Sequence, residues 1–295
     1  MMSPSDFARL LALSAIWGAS FLFMRISAPA IGPVWTIAAR VGLGAAFMLA
    51  VMLSLRRAFG IRQYWKNFLF LGAVNAAIPF LLFAYAALTL TASLLAILNA
   101  TSPIWGALLA MLLGQDRLSP LRWFGLGLGL LGVILLTGIE LQTLPAGAGV
   151  AVLAAVSASG CYSIGALYIS RAAPVEPLAN AFGSLWGASL WLLPVLLMTP
   201  LPTAVPGPAV LVSVFLLGIL ASGVAYLLYF RLIQQVGAVS TLTVTLLIPA
   251  FGVFWGHLFL QEAIGWHTLA GAALVLLGTG LATGYSPRLF LYRRR

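Results

Sequence analysis

Apolar runs of roughly 20 residues, separated by short polar clusters, dominate this sequence, and that is the length at which a helix crosses the hydrocarbon core of a bilayer. Ten such runs can be placed, at 7–26, 33–55, 66–88, 92–113, 121–138, 147–170, 178–198, 208–231, 238–260 and 266–284. Strands of a membrane barrel would be shorter and would alternate polar with apolar side chains, which these runs do not. Of the residues 62% are hydrophobic and 7% charged, against about 25% charged in soluble domains. No water-soluble fold hides that much apolar surface. The expected class is an all-α polytopic membrane protein, with loops too short to hold a soluble catalytic or ATP-hydrolysing module.

A net charge of +10 would on its own suggest nucleic acid. Its distribution argues otherwise. Threading ten spans from a cytoplasmic N-terminus puts 13 of the 15 basic residues on the cytoplasmic side, among them Arg9, the group Arg56, Arg57, Arg62 and Lys66, then Arg171 and Arg231. The loop 199–207, TPLPTAVPG, carries no charge. This is the positive-inside pattern, and it predicts both termini in the cytoplasm of a multi-pass protein of the bacterial inner membrane. The partner of the basic excess is then the lipid bilayer, not nucleic acid. The first apolar stretch is too long for a cleaved signal peptide and ends at Arg25. The single cysteine, Cys161, falls inside a span and reads as a small packing residue.

Sliding the chain against itself by 146 residues aligns Gly72 with Gly218, Pro103 with Pro249, Gly106 with Gly252, Gln115 with Gln261, Asp116 with Glu262, Gly125 with Gly271 and Gly132 with Gly278, without a gap. Arg25 meets Arg171 at the same offset, although the first two spans of each half match weakly. Five spans per half is an odd number, so the second half enters the membrane in the opposite sense. The expected fold is therefore ten transmembrane helices as two inverted five-helix repeats, over 1–144 and 145–295. Secondary transporters are built this way, with their substrate sites near the midplane between the repeats.

The segment LLGQDRLSPLRWFGLGLGLLGVILL, an acid closing one helix before a Gly-rich helix ending Gly-Val, and its second copy LFLQEAIGWHTLAGAALVLLGTGLA resemble the signature of the EamA-type drug/metabolite transporters. SAIWGASFLFMR, with Trp17, Gly18 and Arg25, is similar to that family's opening helix, while Ser163 stands at the position matching Trp17 in the second copy. The resemblance covers nearly the whole chain. Within the family the chain is similar to bacterial amino-acid exporters of the YddG type. That resemblance implies efflux of aromatic and other neutral amino acids, with no cofactor.

The matched prolines carry the most specific local reading. Pro103 and Pro249 sit midway along their spans, and a proline inside a helix frees the carbonyl four residues earlier, at Asn99 and Thr245. In lipid such a carbonyl needs a neighbour, water or ligand. Asn99 and Thr245 are thus candidate substrate contacts, and Pro103 and Pro249 candidate hinges; the alternative is a kink that only shapes the bundle. Asn75, Pro79 and Phe83 follow at steps of four on one face, with Pro79 a third hinge candidate, and the partner span offers Ser222, Tyr226 and Tyr229. Trp17 and Phe21 would add an aromatic wall. Arg40, about 10 Å into its helix from Pro33, either attracts a substrate carboxylate or snorkels toward head groups and helix-end carbonyls.

No acid lies deep in a span, which leaves His257 as the candidate for proton coupling, or as a packing histidine. Asp116 and Glu262 read as caps of a following helix. The spacing of His257, Glu262 and His267 does not suit a metal, so no metal site is expected. Gly125, Gly129 and Gly132 form a small-residue seam on the fifth span, as do Gly271 and Gly278 on the tenth. These seams suit packing within a monomer or, alternatively, a homodimer. The expected function is export of small neutral metabolites, above all amino acids, by alternating access. Another cargo (a drug, nucleotide-sugar or lipid) is the rival, although phosphate cargo would want more than one buried base. A membrane-embedded enzyme is disfavoured, for the sequence has no HExxH, Ser-His pairing, buried Asp pair or Walker A loop.

Overall fold

Where lipid replaces water, every backbone amide and carbonyl must be satisfied within the chain, and helices do this locally. The computed structural model describes residues 3–114, 119–140, 147–203, 205–237, 241 and 243–282. Among these residues there are helices and no strands. Seven helical segments are long and apolar enough to cross a membrane: α1 (Pro4–Ile31), α2 (Pro33–Ser54), α3 (Ile61–Ala86), α4 (Ala92–Leu112), α6 (Ala148–Ile169), α7 (Pro177–Met198) and α8 (Pro208–Val236). Three shorter apolar helices complete the described bundle: α5 (Pro120–Leu136), α9 (Val244–Leu260) and α10 (Trp266–Ala282). The expected boundary between 1–144 and 145–295 falls in 141–146, outside the described residues, as do Gln115 and Asp116.

Helix starts follow local chemistry. Ser3 accepts a hydrogen bond from the amide of Asp6, and Pro4 occupies the first helical position, where its missing N–H costs nothing. Proline likewise opens α2, α7 and α8. α1 is longer at both ends than its apolar run, because the capping serine lies ahead of the run and only Gly32, at φ 84°, separates it from α2. That left-handed angle is open to glycine without a steric cost.

Helix packing follows a two-fold pattern. α1 lies on α9 as α6 lies on α4; α2 lies on α8 as α7 lies on α3; and α3 lies on α6 as α8 lies on α1. The pairs α2–α7, α4–α9 and α5–α10 are each their own counterpart. The first part of α4, Ala92–Leu98, is buried on all sides and forms the centre of the core. Large apolar side chains such as Phe124, Leu190, Met198 and Trp266 point outward, an arrangement suited to lipid.

The glycine seams of α5 and α10 face each other. A Cβ on Gly132 would lie 2.8 Å from the backbone nitrogen of Val275, and one on Gly125 would lie 2.6 Å from that of Ala282. Only glycine lets the two backbones come this close. Both faces are thereby used inside one chain.

Candidate functional site: a polar and aromatic cavity inside the bundle

Two irregularities shape the interior. α3 is π-helical over Ala73–Ala77, and α8 over Leu216–Val224. The 146-residue offset carries 73–77 onto 219–223, inside the second stretch. A π-turn adds a residue to the helix and leaves carbonyls out of register with their usual donors, which is why such turns favour functional sites. In α8 those groups find side-chain partners. The hydroxyl of Ser222 donates to the carbonyl of Leu217 at 3.0 Å, and the indole N–H of Trp17 donates to the carbonyl of Ala221 at 3.2 Å.

α4 is broken between Asn99 and Ser102, just ahead of Pro103. Hydroxyls satisfy four carbonyls at the break. Thr101 and Ser159 donate to Leu98 O, Ser102 to Asn99 O, Thr279 to Ala100 O and Ser163 to Ser102 O, at 2.5–3.0 Å. The carbonyl of Asn99, which the proline spacing leaves to a neighbour, water or ligand, accepts here from a neighbour, Ser102. Pro249, the counterpart of Pro103, lies inside a continuous helix. Pro79 opens the α-helical part of α3 that follows the π-turn.

A cavity of about 490 Å³ lies between these elements. It takes side chains from both halves of the chain and reaches the end of the bundle where Val175, Pro177 and Ile233 lie. Trp17, Arg40, Asn75, Phe83, Asn99, Tyr226, Tyr229 and Thr245 all line it. Ser163 does not: it is buried against α4 through its bond to Ser102. Its neighbour Tyr162 takes the place in the wall instead. One residue turns a helix by about 100°, and the first two spans of each half are where the 146-residue match is weak.

The aromatic rings form two connected groups. Trp17 lies 5.5 Å from Tyr229, which contacts Phe230, and Phe230 stacks with Tyr226. Phe21 meets Phe83 edge-on at 5.3 Å, and Phe83 stacks with Tyr162. Between the groups stands Arg40, only 4% exposed. Its Nε donates to the hydroxyl of Ser222 at 3.1 Å, and its guanidinium carbon sits 3.6 Å from the ring centre of Phe80. Snorkelling or pairing with helix-end carbonyls, one of the two readings open for this residue, is what Arg25 does instead: its Nη1 donates to the carbonyls of Ala87 and Leu88.

Phe80, Tyr162, Ser102, Asn180 and Ser184 also line the cavity and escaped the sequence reading. Phe80 and Ser184 become neighbours of the site only through contacts between distant helices, and no local spacing marks them. His257 is exposed and away from the cavity, with Nδ1 2.9 Å from the carbonyl oxygen of Glu262. Among the described residues, no three His, Cys, Asp or Glu side chains come together as metal ligands would.

The model of the EamA-like transporter family matches residues 8–138 and again 149–284. The chain belongs to the EamA-like transporter family. As an EamA-like transporter it is a membrane transporter of small solutes. Two bacterial proteins are similar along most of their length. One is the uncharacterized transporter YoaV of Bacillus subtilis, 20% identical over 93% of this chain and 95% of its own. The other is the uncharacterized protein PA1977 of Pseudomonas aeruginosa, 31% identical over 83% of this chain and 81% of its own. A solved crystal structure superposes with a TM-score of 0.68 at 21% identity, covering 99% of both chains, so an EamA-like transporter shares its fold.

Proposed function

We propose that this EamA-like transporter exports small neutral metabolites, above all aromatic and other neutral amino acids, by alternating access. The ten apolar helices are read as ten spans in two inverted repeats, rocking about Pro103 and Pro249 around the cavity. The resemblance to exporters of the YddG type supports the cargo, and the paired packing of the helices supports the repeat. The observation that carries the reading is the cavity itself. It is aromatic on both sides, holds one buried cation and draws on both halves of the chain. Such a wall suits an amphipathic solute with an apolar body and one polar head.

The positive-inside pattern assigns the N-terminal end of α1 to the cytoplasm of a bacterial inner-membrane protein. α1 and α9 run in the same direction, since Ser14 meets Val244 and Gly18 meets Phe251. The cavity reaches the end where α1 begins, so this conformation is read as open to the cytoplasm. At the other end, Glu262 and Arg25 hold α4 and α3 to their neighbours.

The test is tracer flux in proteoliposomes with labelled phenylalanine, methionine, threonine and glutamate, with and without a pH gradient. Saturable movement of the neutral amino acids but not of glutamate is expected. No flux of any amino acid through folded protein would overturn the cargo. A stimulation by the gradient that Gln at position 257 abolishes would identify His257 as the coupling group.

A further inference from the structure

Arg40 is buried in a wall that holds no acidic side chain among the described residues. Its direct partners are neutral: the Ser222 hydroxyl, the Met24 thioether at 3.8 Å and the Phe80 ring. Asp6, Glu176 and Glu262 are engaged elsewhere, on Arg9, on the amide of Ala179, and on the start of α4. A desolvated cation with no counter-ion is costly to maintain. The cost falls when cargo brings the missing negative charge.

Among the described residues, the same cavity offers a positive charge no carboxylate, only neutral groups. The carbonyl of Asn99, which a proline-kinked helix would present to an ammonium, already accepts from the Ser102 hydroxyl, which leaves it one lone pair. The Oδ1 of Asn75 accepts no hydrogen bond and is covered, with its amide against Gly165, so cargo does not reach it. A cation would meet aromatic rings and neutral polar residues such as Asn99, Ser184 and Thr245, with no formal negative charge among them, while Arg40 repels a second positive charge across a medium of low dielectric.

We propose that the cavity recognises its cargo through the carboxylate alone, docked on Arg40, and that its cargo class is small monocarboxylates with an aromatic or branched apolar body, of which neutral amino acids are one member. This rests on the transporter reading above, and extends it by making the amino group dispensable. A zwitterion leaves the site with one net positive charge, whereas a monocarboxylate neutralises it.

The experiment is equilibrium binding to purified protein by titration calorimetry, with three ligands of one shape: 3-phenylpropionate, phenylalanine and phenethylamine. Binding is read instead of flux because the protonated acid crosses lipid unaided. 3-Phenylpropionate is expected to bind at least as tightly as phenylalanine, and phenethylamine at least about tenfold more weakly. Arg40→Gln removes binding of the acid at least about tenfold, and Arg40→Lys restores part of it. Each variant is compared with wild type by gel filtration and thermal unfolding. Phenethylamine binding as tightly as the acid, no binding of the acid, or unchanged acid binding in folded Arg40→Gln overturns the proposal. Binding of 3-phenylpropionate without binding or flux of phenylalanine would sustain the carboxylate site and sink the amino-acid cargo, so the two fail separately.

Discussion

The carboxylate of Glu262 accepts the backbone amide of Ser93 at 3.0 Å and, through the same oxygen, the Ser93 hydroxyl, while its other oxygen takes the amide of Ala92 at 2.7 Å. A residue beyond the end of α9 therefore caps the start of α4, where the helix dipole favours negative charge. Gln261 adopts a left-handed φ of 54° to turn the carboxylate inward. The helix it caps is not the one that follows in sequence, as the reading of the acid–amide pair expected, but the fourth helix of the other half.

Glu262→Ala should remove the two capping bonds and lower stability by about 1–2 kcal/mol, seen as a lower melting temperature of the purified protein. Glu262→Gln should retain part of the loss-free behaviour, because an amide oxygen still accepts one N–H. Equal melting of wild type and Glu262→Ala would show that this contact holds nothing.

Phe80→Leu keeps apolar volume but removes the ring beneath the Arg40 guanidinium. A buried cation–π contact contributes on the order of 1–2 kcal/mol. Carboxylate binding should weaken about fivefold to thirtyfold, measured by the same calorimetry. Tighter or unaltered binding would mean that the ring plays no part in holding Arg40.

Ser163→Ala separates a site residue from a scaffold residue. Its hydroxyl satisfies the Ser102 carbonyl at the α4 break. The substitution should cost about 1–3 kcal/mol of stability and leave ligand affinity within about twofold. A large affinity loss in a protein of unchanged melting temperature would place Ser163 in the wall after all.

Gly132→Ala and Gly127→Ala test the α5–α10 seam together. A methyl at 132 meets backbone atoms of Val275 and Gly271 at 2.8 and 2.9 Å, whereas one at 127 meets nothing within 4 Å. The first should destabilise by about 1–3 kcal/mol, and the second should be neutral or slightly stabilising. Thermal unfolding in detergent reads both, and an equal effect at the two positions would contradict the packing.

Much of the fold was legible because lipid imposes length and hydropathy on every span. The ends were less so: Ser3 and Pro4 start α1 through capping chemistry that lies outside its apolar run. The site was readable where one helix face carries its own pattern, as with Asn75 and Phe83 on α3, or Tyr226 and Tyr229 on α8. It was unreadable where the relation is tertiary. Nothing in the spacing from Arg40 to Phe80 or Ser222 announces that they meet, and while Pro79 stands just beyond the π-turn of α3, no proline marks that of α8. Proline marked the break in α4, whereas α9 continues as a helix through Pro249.

The hydroxyls around the break in α4 come from three helices: Thr101 and Ser102 on α4 itself, Ser159 and Ser163 on α6, and Thr279 on α10. A joint pinned from three directions does not flex by itself. Any pivot at Pro103 must drag α6 and α10 along with α4, or exchange three inter-helix bonds at once. A pivot at Pro103 would thus carry α4, α6 and α10 as one block, and the sliding surfaces of a transport cycle would belong to helix pairs that this knot does not tie.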